Sequence, residues 1–469
     1  MSYDFGVAIL AAGQGTRLKL NLPKVLSPCV GEVLINFPLN AADQFLALEK
    51  MSGLIGVVVG HQRELVSDHL EKYRSKIKSS LKIAVQEVQN GTGGALREYF
   101  EQIPHAKDTV YTMVLCGDTP IIGSKDLQEL FASLSADPKL NAVAASFIAK
   151  NPKGYGRIVR GGSGFRIVEE KDATDDIRKI CEVNSGLYIA KTEFVLANLY
   201  QIDDKNKSNE LYLTDLFKEN HHVRPVCFPS EEVFVGVNTL KQLQVVSKTL
   251  YQMKCDDLLE SGVRLFDSSS TYVDWTVEIG RGSYLYPNVI IEGNSSIGEN
   301  CCIMANCHLI DTKISNDVTV KSFFSMEGAS IQNSAVVGPF ARLRPLANIG
   351  EGSKVGNFVE IKKSNLGKGV KVSHLSYVGD AEIGENTNIG CGFVSVNYDG
   401  VNKHKTSIGK NSFIGSGCNL IAPIKVGDSS FVAAGSTVNK DIPEGSFAIA
   451  RGRQTNKDGL AKKFLPKKD

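Results

Sequence analysis

The stretch IGEGSKVGNFVEI, residues 349–361, places an aliphatic residue at every sixth position. The same spacing continues in both directions through the second half of the chain. Three sets of aliphatic residues keep this step: Ile279, Leu285, Ile291, Ile297, Ile303 and Leu309; Ile331, Val337, Leu343, Ile349, Val355 and Ile361; and Ile408, Ile414, Leu420, Val426, Val432 and Val438. A hexapeptide repeat of this kind is typical of a parallel β-helix, in which each aliphatic side chain points inward and stacks on its counterparts in neighbouring coils. The irregular strands of a β-sandwich would not hold one register over three such sets.

The register of the repeat breaks near residue 314, within 366–383 and within 394–408. The last break is the largest, and residues 397–406 inside it are mostly polar. Loops that leave a rigid scaffold often carry function. We therefore expect this segment to belong to a binding or catalytic site.

The first half of the chain has a different pattern, in which short apolar runs alternate with helical segments. The runs Val7–Leu10, Ile55–Val59 and Val114–Leu115 are typical of buried parallel strands. Residues 62–74 and 125–134 have helical patterns. Repeated strand–helix–strand units predict a doubly wound, Rossmann-like α/β domain.

The segment between the two patterns carries apolar residues at helical spacing, namely Leu243, Val246, Leu250 and Met253. Gly262 then provides a helix stop. We therefore expect three parts: an α/β domain at residues 1–238, a connecting helix at 239–262, and the β-helix with its C-terminal tail at 263–469.

The composition is that of an ordinary globular protein, with 42% hydrophobic residues, 22% charged residues and a net charge of +2 over 469 residues. Dedicated nucleic-acid or anionic-membrane binders are usually more basic, so neither partner is expected. The N-terminus shows no signal peptide and no apolar run reaches 18 residues, which favours a cytoplasmic location. No CxxC pair has a matching second pair, so a zinc site is not expected.

A glycine-rich loop, LAAGQGTR at residues 10–17, follows the first apolar run, and Lys24 comes shortly after it. Gly13 and Gly15 allow backbone N–H groups to approach a phosphate chain, while Arg17 and Lys24 supply positive charge. The loop matches neither the Walker pattern nor the dinucleotide-binding fingerprint. For the glycines alone, a structural turn is the alternative interpretation.

Polar clusters interrupt the β-helix repeats in a way that a β-helix corner does not need. They are Arg342–Pro345, Lys362-Lys363, His374–Tyr377, Asn388, Asn397–Gly400, Lys403 and Arg451. Arg344 and Lys362 could neutralise a sugar phosphate, and the imidazole of His374 could accept a proton from an amine near neutral pH. A single histidine is more often an ordinary surface or core residue, so this role for His374 depends on its neighbours.

The loop at residues 10–17 resembles the signature of sugar-phosphate nucleotidyltransferases. Further stretches resemble that family in the same order: Gln86, Gln89–Ala95, Leu115–Pro120, Gly154–Ile158, Ile167–Thr174, Glu182–Gly186 and Phe234–Asn238. With the β-helix clusters, the series is similar to the bifunctional N-acetylglucosamine-1-phosphate uridyltransferase/glucosamine-1-phosphate acetyltransferase family over nearly the whole chain. The resemblance implies a left-handed β-helix and two reactions. Acetyl-CoA acetylates glucosamine-1-phosphate, and UTP then converts N-acetylglucosamine-1-phosphate to UDP-N-acetylglucosamine, a cell-wall precursor, with release of pyrophosphate.

For the uridyltransferase site, the resemblance implies Mg²⁺ held by Asp118 and Asn238, whose oxygens suit this ion. It also implies that Arg17 and Lys24 act on the triphosphate as catalytic residues. The residues implied to bind UTP or UDP-N-acetylglucosamine are Leu10, Gly13, Lys24, Gln86, Gly91, Thr92, Gly156, Glu169, Asn184 and Asn238. Within that set, the resemblance implies that Gln86, Gly91 and Thr92 bind uracil. It implies that Gly156, Glu169 and Asn184 bind the sugar ring.

For the acetyltransferase site, the resemblance implies that His374 is the general base. The residues implied to bind glucosamine-1-phosphate are Arg344, Lys362, Tyr377, Asn388 and Lys403, and those implied to contact acetyl-CoA are Cys391, Asn397, Tyr398, Ser416, Ala434 and Arg451. The family builds this site between subunits, which implies a homotrimer. We expect the loop at 397–406 to reach a neighbouring subunit instead of folding back on its own coil.

The chain departs from the usual residues of the family at four positions. Gln14 replaces Lys, Gly94 replaces His, Ser373 replaces Gly and Cys391 replaces Ala. None of the four is an expected metal ligand. The missing charge at Gln14 is expected to weaken triphosphate binding without abolishing activity, and Cys391 is expected to be a packing change.

Two other functions compete with the bifunctional enzyme. A single-activity sugar nucleotidyltransferase with a structural β-helix predicts no His/Lys/Arg cluster on the repeats, but the cluster is present. A non-catalytic scaffold of the same architecture predicts loss of the residues that carry nucleotidyl transfer. Those residues, Arg17, Lys24, Asp118 and Asn238, are all present. The bifunctional enzyme is therefore the preferred hypothesis.

Overall fold

The computed structural model describes residues 3–161 and 164–465. Residues 1–2, 162–163 and 466–469, which fall within the expected domains, lie outside the described residues. In the part of the chain that is described, no helix is both long enough and apolar enough to cross a membrane.

The chain divides into two compact units, Met1–Leu250 and Tyr251–Asp469. The division falls inside the long helix Leu240–Glu260, where the sequence predicts a helix. Gly262 lies two residues after the end of this helix, and its φ of 90° suits a residue without a side chain.

The first unit contains a mixed β-sheet and its helices. Its strands are β1 (Phe5–Ala11), β2 (Pro28–Cys29), β3 (Glu32–Val33), β4 (Gly53–Val59), β5 (Ser80–Val85), β6 (Tyr111–Cys116), β7 (Ala142–Ile148), β8 (Arg157–Gly161), β9 (Gly164–Val168), β10 (Glu182–Lys191) and β11 (Val223–Phe228). Its helices are α1 (Asn36–Glu49), α2 (Arg63–Tyr73), α3 (Thr92–Gln102), α4 (Ser124–Ser135), α5 (Asp175–Arg178) and α6 (Thr192–Leu199), and α7 (Leu240–Glu260) follows.

The main sheet has the strand order β11-β7-β10-β6-β1-β4-β5. The three apolar runs predicted as strands lie in β1, β4 and β6, which are parallel neighbours and nearly fully buried. The sheet is not purely parallel, because β10 runs antiparallel to both β6 and β7. Since β1, β4, β5 and β6 are parallel, the loops that follow them all emerge at one edge of the sheet.

The second unit is a parallel β-helix with three faces. Face A contains Arg264–Leu265, Tyr284–Leu285, Cys302–Ile303, Thr319–Val320, Val336–Val337, Lys354–Asn357, Lys371–His374, Asn388–Ile389, Phe413–Ile414, Phe431–Val432 and Phe447–Ala448. Face B contains Tyr272–Val273, Ile290–Glu292, His308–Ile310, Ser325–Glu327, Arg342–Leu343, Glu360–Lys362, Tyr377–Gly379, Val394–Val396, Asn419–Ile421 and Thr437–Val438. Face C contains Glu278–Ile279, Ser296–Ile297, Lys313–Ile314, Ser330–Ile331, Ala347–Ile349, Ser364–Leu366, Ala381–Ile383, Thr406–Ile408 and Ile424–Val426.

The aliphatic residues of the three predicted sets form the core of the β-helix. All are buried except Ile279, which is partly buried near the first coil. Corresponding residues pair in register between coils, as Ile361 does with Leu343 and with Val378. The hexapeptide prediction is therefore confirmed at the level of individual inward-facing positions.

Candidate active sites

A cleft of about 350 Å³ opens in the first unit at the sheet edge where the parallel strands end. Loops after β1, β5 and β6 contribute to its walls. Expected site residues that line it are Leu10, Gly13, Lys24, Gln86, Gly91, Thr92 and Asp118. Glu210 also lines the cleft, although it belongs to no motif that sequence reasoning could have used.

Two positive side chains meet the side-chain oxygens of two other residues within this unit. Lys24 Nζ donates hydrogen bonds to Asp118 Oδ2 and, over 3.2 Å, to Asn238 Oδ1. Arg17 Nη2 donates to the same Asn238 oxygen over 3.1 Å. The backbone N–H of Val237 bonds the carbonyl of Asp118 over 2.9 Å, which brings the loop that carries Asn238 to the end of β6. These four expected residues therefore form one cluster.

Gly15 determines how the glycine-rich loop passes Lys24. Its φ is 63°, and a Cβ added there would lie 2.5 Å from Lys24 Cβ. Any other residue at this position would strain the backbone, and its Cβ would collide with the Lys24 side chain. The glycine therefore allows the loop to cross directly over the base of the Lys24 side chain.

Gly156, Glu169 and Asn184 form a second group in the same unit. A Cβ on Gly156 would lie 3.5 Å from both Glu169 Oε1 and Asn184 Cβ. Burial raises the pKa of Glu169, although the Thr214 hydroxyl, which donates to Glu169 Oε1 over 3.1 Å, opposes the shift. The structure therefore brings together the three residues expected around a sugar ring.

In the β-helix, four expected residues occupy equivalent positions on successive coils at the corner between faces A and B. The strand register aligns His374, Cys391, Ser416 and Ala434. Adjacent coils lie about 4.8 Å apart, so the four residues form a straight column. At its end, Arg451 Nη1 donates to the carbonyl of Ala434 over 3.0 Å. We call these five residues the corner column.

The imidazole of His374 is exposed, and its Nδ1 lies 2.7 Å from Asn357 Oδ1 on the preceding coil. Asn357 was not among the expected site residues. A periodicity of one coil, about 17 residues here, is the signal that could have found it, because it places Asn357 and His374 side by side.

Positive side chains gather at the opposite end of face B. The register places Arg344 and Lys362 at equivalent positions on neighbouring coils. Contact with Lys403, and then the charge of Arg344, lowers the pKa of Lys362. Tyr377 lies on the next strand of face B, opposite Glu360, which accepts a 2.9 Å hydrogen bond from Arg344. We call Arg344, Lys362 and Lys403 the cationic group.

The corner column and the cationic group are separate within one chain. His374 precedes the face B strand Tyr377–Gly379, whereas Lys362 pairs with Gly379 at the far end of that strand. Asn388 lies on face A, paired with Lys371. The expected residues of the acetyltransferase site therefore form two groups on either side of face B.

Contrary to expectation, the loop at 397–406 contacts its own coil through Asn397, whereas its contact with a neighbouring subunit stays a prediction. Asn397 Nδ2 donates to Asp380 Oδ2 of the same chain over 2.6 Å, and Tyr398 pairs with Lys403 as an antiparallel bridge. Asp399 accepts hydrogen bonds from two loop N–H groups and lies 2.7 Å from His404 Nε2. The loop folds into a hairpin because these contacts satisfy its polar groups locally. Asn397 and Tyr398 therefore lie beside the cationic group, away from the corner column.

Two family models match the two units. Residues 7–229 match the nucleotidyl transferase model, and residues 276–311 and 405–440 match the bacterial transferase hexapeptide (six repeats) model. A curated relative named Bifunctional protein GlmU from Geotalea uraniireducens (strain Rf4) is 40% identical over 464 residues, which cover 97% of this chain and 98% of the relative.

The chain belongs to the GlmU family.

Other relatives with the same name are similar to the chain to the same degree. The protein from Clostridium botulinum (strain 657 / Type Ba4) is 39% identical over 467 residues, or 98% of this chain and 99% of the relative. The protein from Geobacillus sp. (strain WCH70) is 39% identical over 468 residues, or 98% of each chain. The hexapeptide match and the stacked parallel strands identify the second unit as a left-handed β-helix.

Two departures from the usual GlmU-family residues have structural counterparts at the nucleotide cleft. Gln14 Nε2 donates to Gln89 Oε1 over 3.1 Å, so the side chain at this position links two loops of the cleft. A side chain at Gly94 would overlap that of Asn90, whose Oδ1 accepts a 3.0 Å hydrogen bond from Gln86. The absence of a side chain at Gly94 therefore leaves room for the side chain of Asn90.

Proposed function

We propose that the chain is a bifunctional enzyme of UDP-N-acetylglucosamine synthesis. The β-helix acetylates glucosamine-1-phosphate with acetyl-CoA, and the first unit transfers the uridylyl group of UTP to the N-acetylglucosamine-1-phosphate so formed. One observation carries the proposal. A single chain of the GlmU family holds both the Lys24–Asp118–Asn238 cluster and a β-helix histidine, His374, that is oriented by a neighbouring side chain.

In uridylyl transfer, a phosphate oxygen of the sugar phosphate attacks the α-phosphorus of UTP, and pyrophosphate leaves. Such a reaction needs positioning and charge neutralisation more than covalent catalysis. Arg17 and Lys24 supply positive charge beside the cleft. Gln86, Gly91 and Thr92 hold uracil. Gly156, Glu169 and Asn184 hold the sugar.

Asp118 and Asn238 fit the metal that this reaction requires. Both oxygens accept hydrogen bonds from the Lys24 ammonium, which supports a cation site at the point where they converge. Across residues 3–161 and 164–465, no three His, Cys, Asp or Glu side chains gather as a metal-binding group. Mg²⁺ commonly uses one or two protein ligands and completes its shell with phosphates and water. When bound, Mg²⁺ would neutralise phosphate charge.

In acetyl transfer, the 2-amine of glucosamine-1-phosphate attacks the thioester carbon of acetyl-CoA. His374 Nε2 accepts the proton that the amine loses, and the coenzyme A sulfur leaves. Acetyl-CoA lies along the corner column, past Cys391, Ser416 and Ala434 to Arg451. The cationic group binds the sugar phosphate with Tyr377 and Asn388, and Asn397 and Tyr398 contact acetyl-CoA from the hairpin loop.

The separation of the two groups supports a site shared between subunits. His374 precedes the face B strand Tyr377–Gly379 and Lys362 lies opposite its last residue, so face B separates the two groups within one chain. The β-helix of a neighbouring subunit would complete the site if it brought its cationic group to this corner column. Closed packing of three such three-faced β-helices about one axis gives a homotrimer.

Both co-substrates, UTP and acetyl-CoA, are cytoplasmic metabolites, so we place the enzyme in the cytoplasm.

The test is an assay with glucosamine-1-phosphate, acetyl-CoA, UTP and Mg²⁺ in which one component at a time is left out. UDP-N-acetylglucosamine should form only from the complete mixture. When N-acetylglucosamine-1-phosphate is supplied in place of glucosamine-1-phosphate and acetyl-CoA, the product should form as well. A single-activity nucleotidyltransferase would accept that acetylated substrate but never acetylate, and this result would reject the proposal.

Variants assign each activity to its site. Asp118→Ala and Asn238→Ala should abolish uridylyl transfer and leave acetyl transfer intact. His374→Ala should lower acetyl transfer by ~10²–10⁴-fold, with residual activity that rises with pH as more free amine forms. His308→Ala removes a β-helix histidine that pairs with Glu292 outside both groups and serves as the matched control. Loss of both activities in a folded single-site variant would contradict the assignment.

A further inference from the structure

Both proposed metal ligands are already engaged by positive side chains. Asp118 Oδ2 and Asn238 Oδ1 both accept hydrogen bonds from Lys24 Nζ, and Arg17 binds Asn238 alone. The side chains of Lys24 and Asp118 are each only 15% exposed. The ammonium group therefore stands where the two oxygens converge.

An ammonium and a divalent cation cannot use the same oxygen lone pairs, and their like charges repel at contact distance. A metal that binds Asp118 Oδ2 and Asn238 Oδ1, the two oxygens that Lys24 engages, must therefore displace the Lys24 ammonium. Lys24 lines the nucleotide cleft, so a displaced ammonium remains within a space suited to a triphosphate. Its main chain is held by the short 3₁₀ turn Lys24–Leu26 and by the close passage of Gly15. Only the flexible side chain has to move.

We propose that Lys24 is a place-holding cation that couples metal binding to nucleotide binding. In the free enzyme it neutralises Asp118. Metal binding releases the Lys24 ammonium, which then pairs with the phosphates of the nucleotide. Each ligand makes the other bind more tightly, since both favour the same displaced position of Lys24. The inference rests on the proposed uridylyl transfer site.

The primary experiment measures Mn²⁺ binding to the full chain without nucleotide, by the loss of the free Mn²⁺ electron paramagnetic resonance signal. Lys24→Met should bind Mn²⁺ about 5- to 100-fold more tightly than wild type, within the usual range of coupling between sites. Lys139→Met removes an exposed positive charge from the same unit and should bind as wild type does. Equal Mn²⁺ affinity in wild type and Lys24→Met would overturn the proposal.

A second measurement tests the coupling itself. UTP affinity is determined with and without Mn²⁺, and the ratio of the two affinities should be smaller in Lys24→Met than in wild type. An undiminished ratio would overturn the proposal. If Lys24→Met fails to fold, both measurements are repeated with Lys24→Gln, whose side chain can still donate a hydrogen bond to Asp118.

A double variant separates this inference from the proposed function. Asp118→Ala added to Lys24→Met should remove the tight Mn²⁺ site. If the tight site persists, Asp118 is not the ligand, and both the place-holding role and the metal assignment fail. If the site disappears and wild type nevertheless does not use UTP as a substrate, the place-holding role stands while the proposed reaction fails.

Discussion

Nδ1 of His374 lies 2.7 Å from the amide oxygen of Asn357, its register partner on the preceding coil. An amide oxygen can only accept a hydrogen bond, so Nδ1 carries the ring proton and Nε2 keeps its lone pair. The regular coil thus sets both the orientation and the tautomer of the ring. His374 is thereby prepared to act as a base through Nε2.

Asn357→Ala should lower the kcat of acetyl transfer about 3- to 10-fold. One hydrogen bond to the ring is worth about 1 kcal/mol, and about 1.4 kcal/mol corresponds to tenfold in rate. Asn357→Asp supplies a negative charge that favours the imidazolium, so the acidic limb of the pH–rate profile should move to higher pH. Uridylyl transfer by the same preparations is the control. An unshifted profile for Asn357→Asp would show that Asn357 does not act through His374.

Glu169→Gln should stabilise the protein while it impairs uridylyl transfer. Because burial raises the pKa of Glu169, the folded state holds this proton more tightly than the unfolded state does. That contribution to stability is complete below the ordinary pKa of a glutamate and is lost as pH rises through the raised value. Relative to wild type, the Tm of the variant should therefore increase with pH, by roughly 2–4 °C per kcal/mol removed.

The check on Glu169→Gln is thermal unfolding of both proteins from pH 4 to 8, with the KM for N-acetylglucosamine-1-phosphate measured at the upper end. A difference in Tm that does not depend on pH would contradict the role of burial. An unchanged KM would remove Glu169 from the sugar site.

A β-helix fragment that begins at Tyr251 should be more stable than one that begins at Gly262. The end of α7 packs on the first coil: Leu258 is 5% exposed within the β-helix core, and Lys254 Nζ donates to the carbonyls of Trp275 and Val277. Loss of one buried leucine side chain costs about 2–5 kcal/mol. Urea unfolding at equal protein concentration measures the difference. Equal midpoints would show that α7 does not support the first coil.

Mixed oligomers should recover acetyl transfer only from particular pairs of inactive variants. Since Lys362 and Lys403 lie in the same cationic group of one chain, Lys362→Ala and Lys403→Ala should fail to complement each other. His374→Ala and Lys362→Ala should complement, because a shared site joins the corner column of one chain to the cationic group of another. Acetyl transfer is measured on co-refolded, separately tagged chains purified through both tags. Recovery by the first pair but not the second would reject the shared arrangement.

The sequence predicted the β-helix at single-residue level because each inward position must hold a side chain that fits a fixed coil. It also predicted β1, β4 and β6 and the polar loops that follow them. The direction of β10 was not predictable, because the apolar pattern of a buried strand is the same for parallel and antiparallel neighbours. The position of Glu210 in the wall of the nucleotide cleft was not predictable either, since no local motif marks it.

The contact of the hairpin loop with its own coil was not predicted, for a different reason. Its conformation depends on the hydrogen bond between Asn397 and Asp380, which lie one coil of 17 residues apart, and on the local turn at Asp399. The hexapeptide pattern describes only inward-facing positions and carries no information about such outward contacts. Pairs one coil apart, such as Asn357 and His374, become predictable only once the coil length is known.

The hairpin loop returns the chain to the register that it left. On either side of it, Ala381 pairs with Thr406 and Ile383 with Ile408, as if the added residues were absent. Coils of a solenoid contact only their immediate neighbours, so extra length at a corner disturbs neither of them. Insertions and deletions at this corner are therefore nearly neutral for folding. The loop can therefore change in length and sequence, and with it the contacts proposed for acetyl-CoA, while the scaffold stays unchanged.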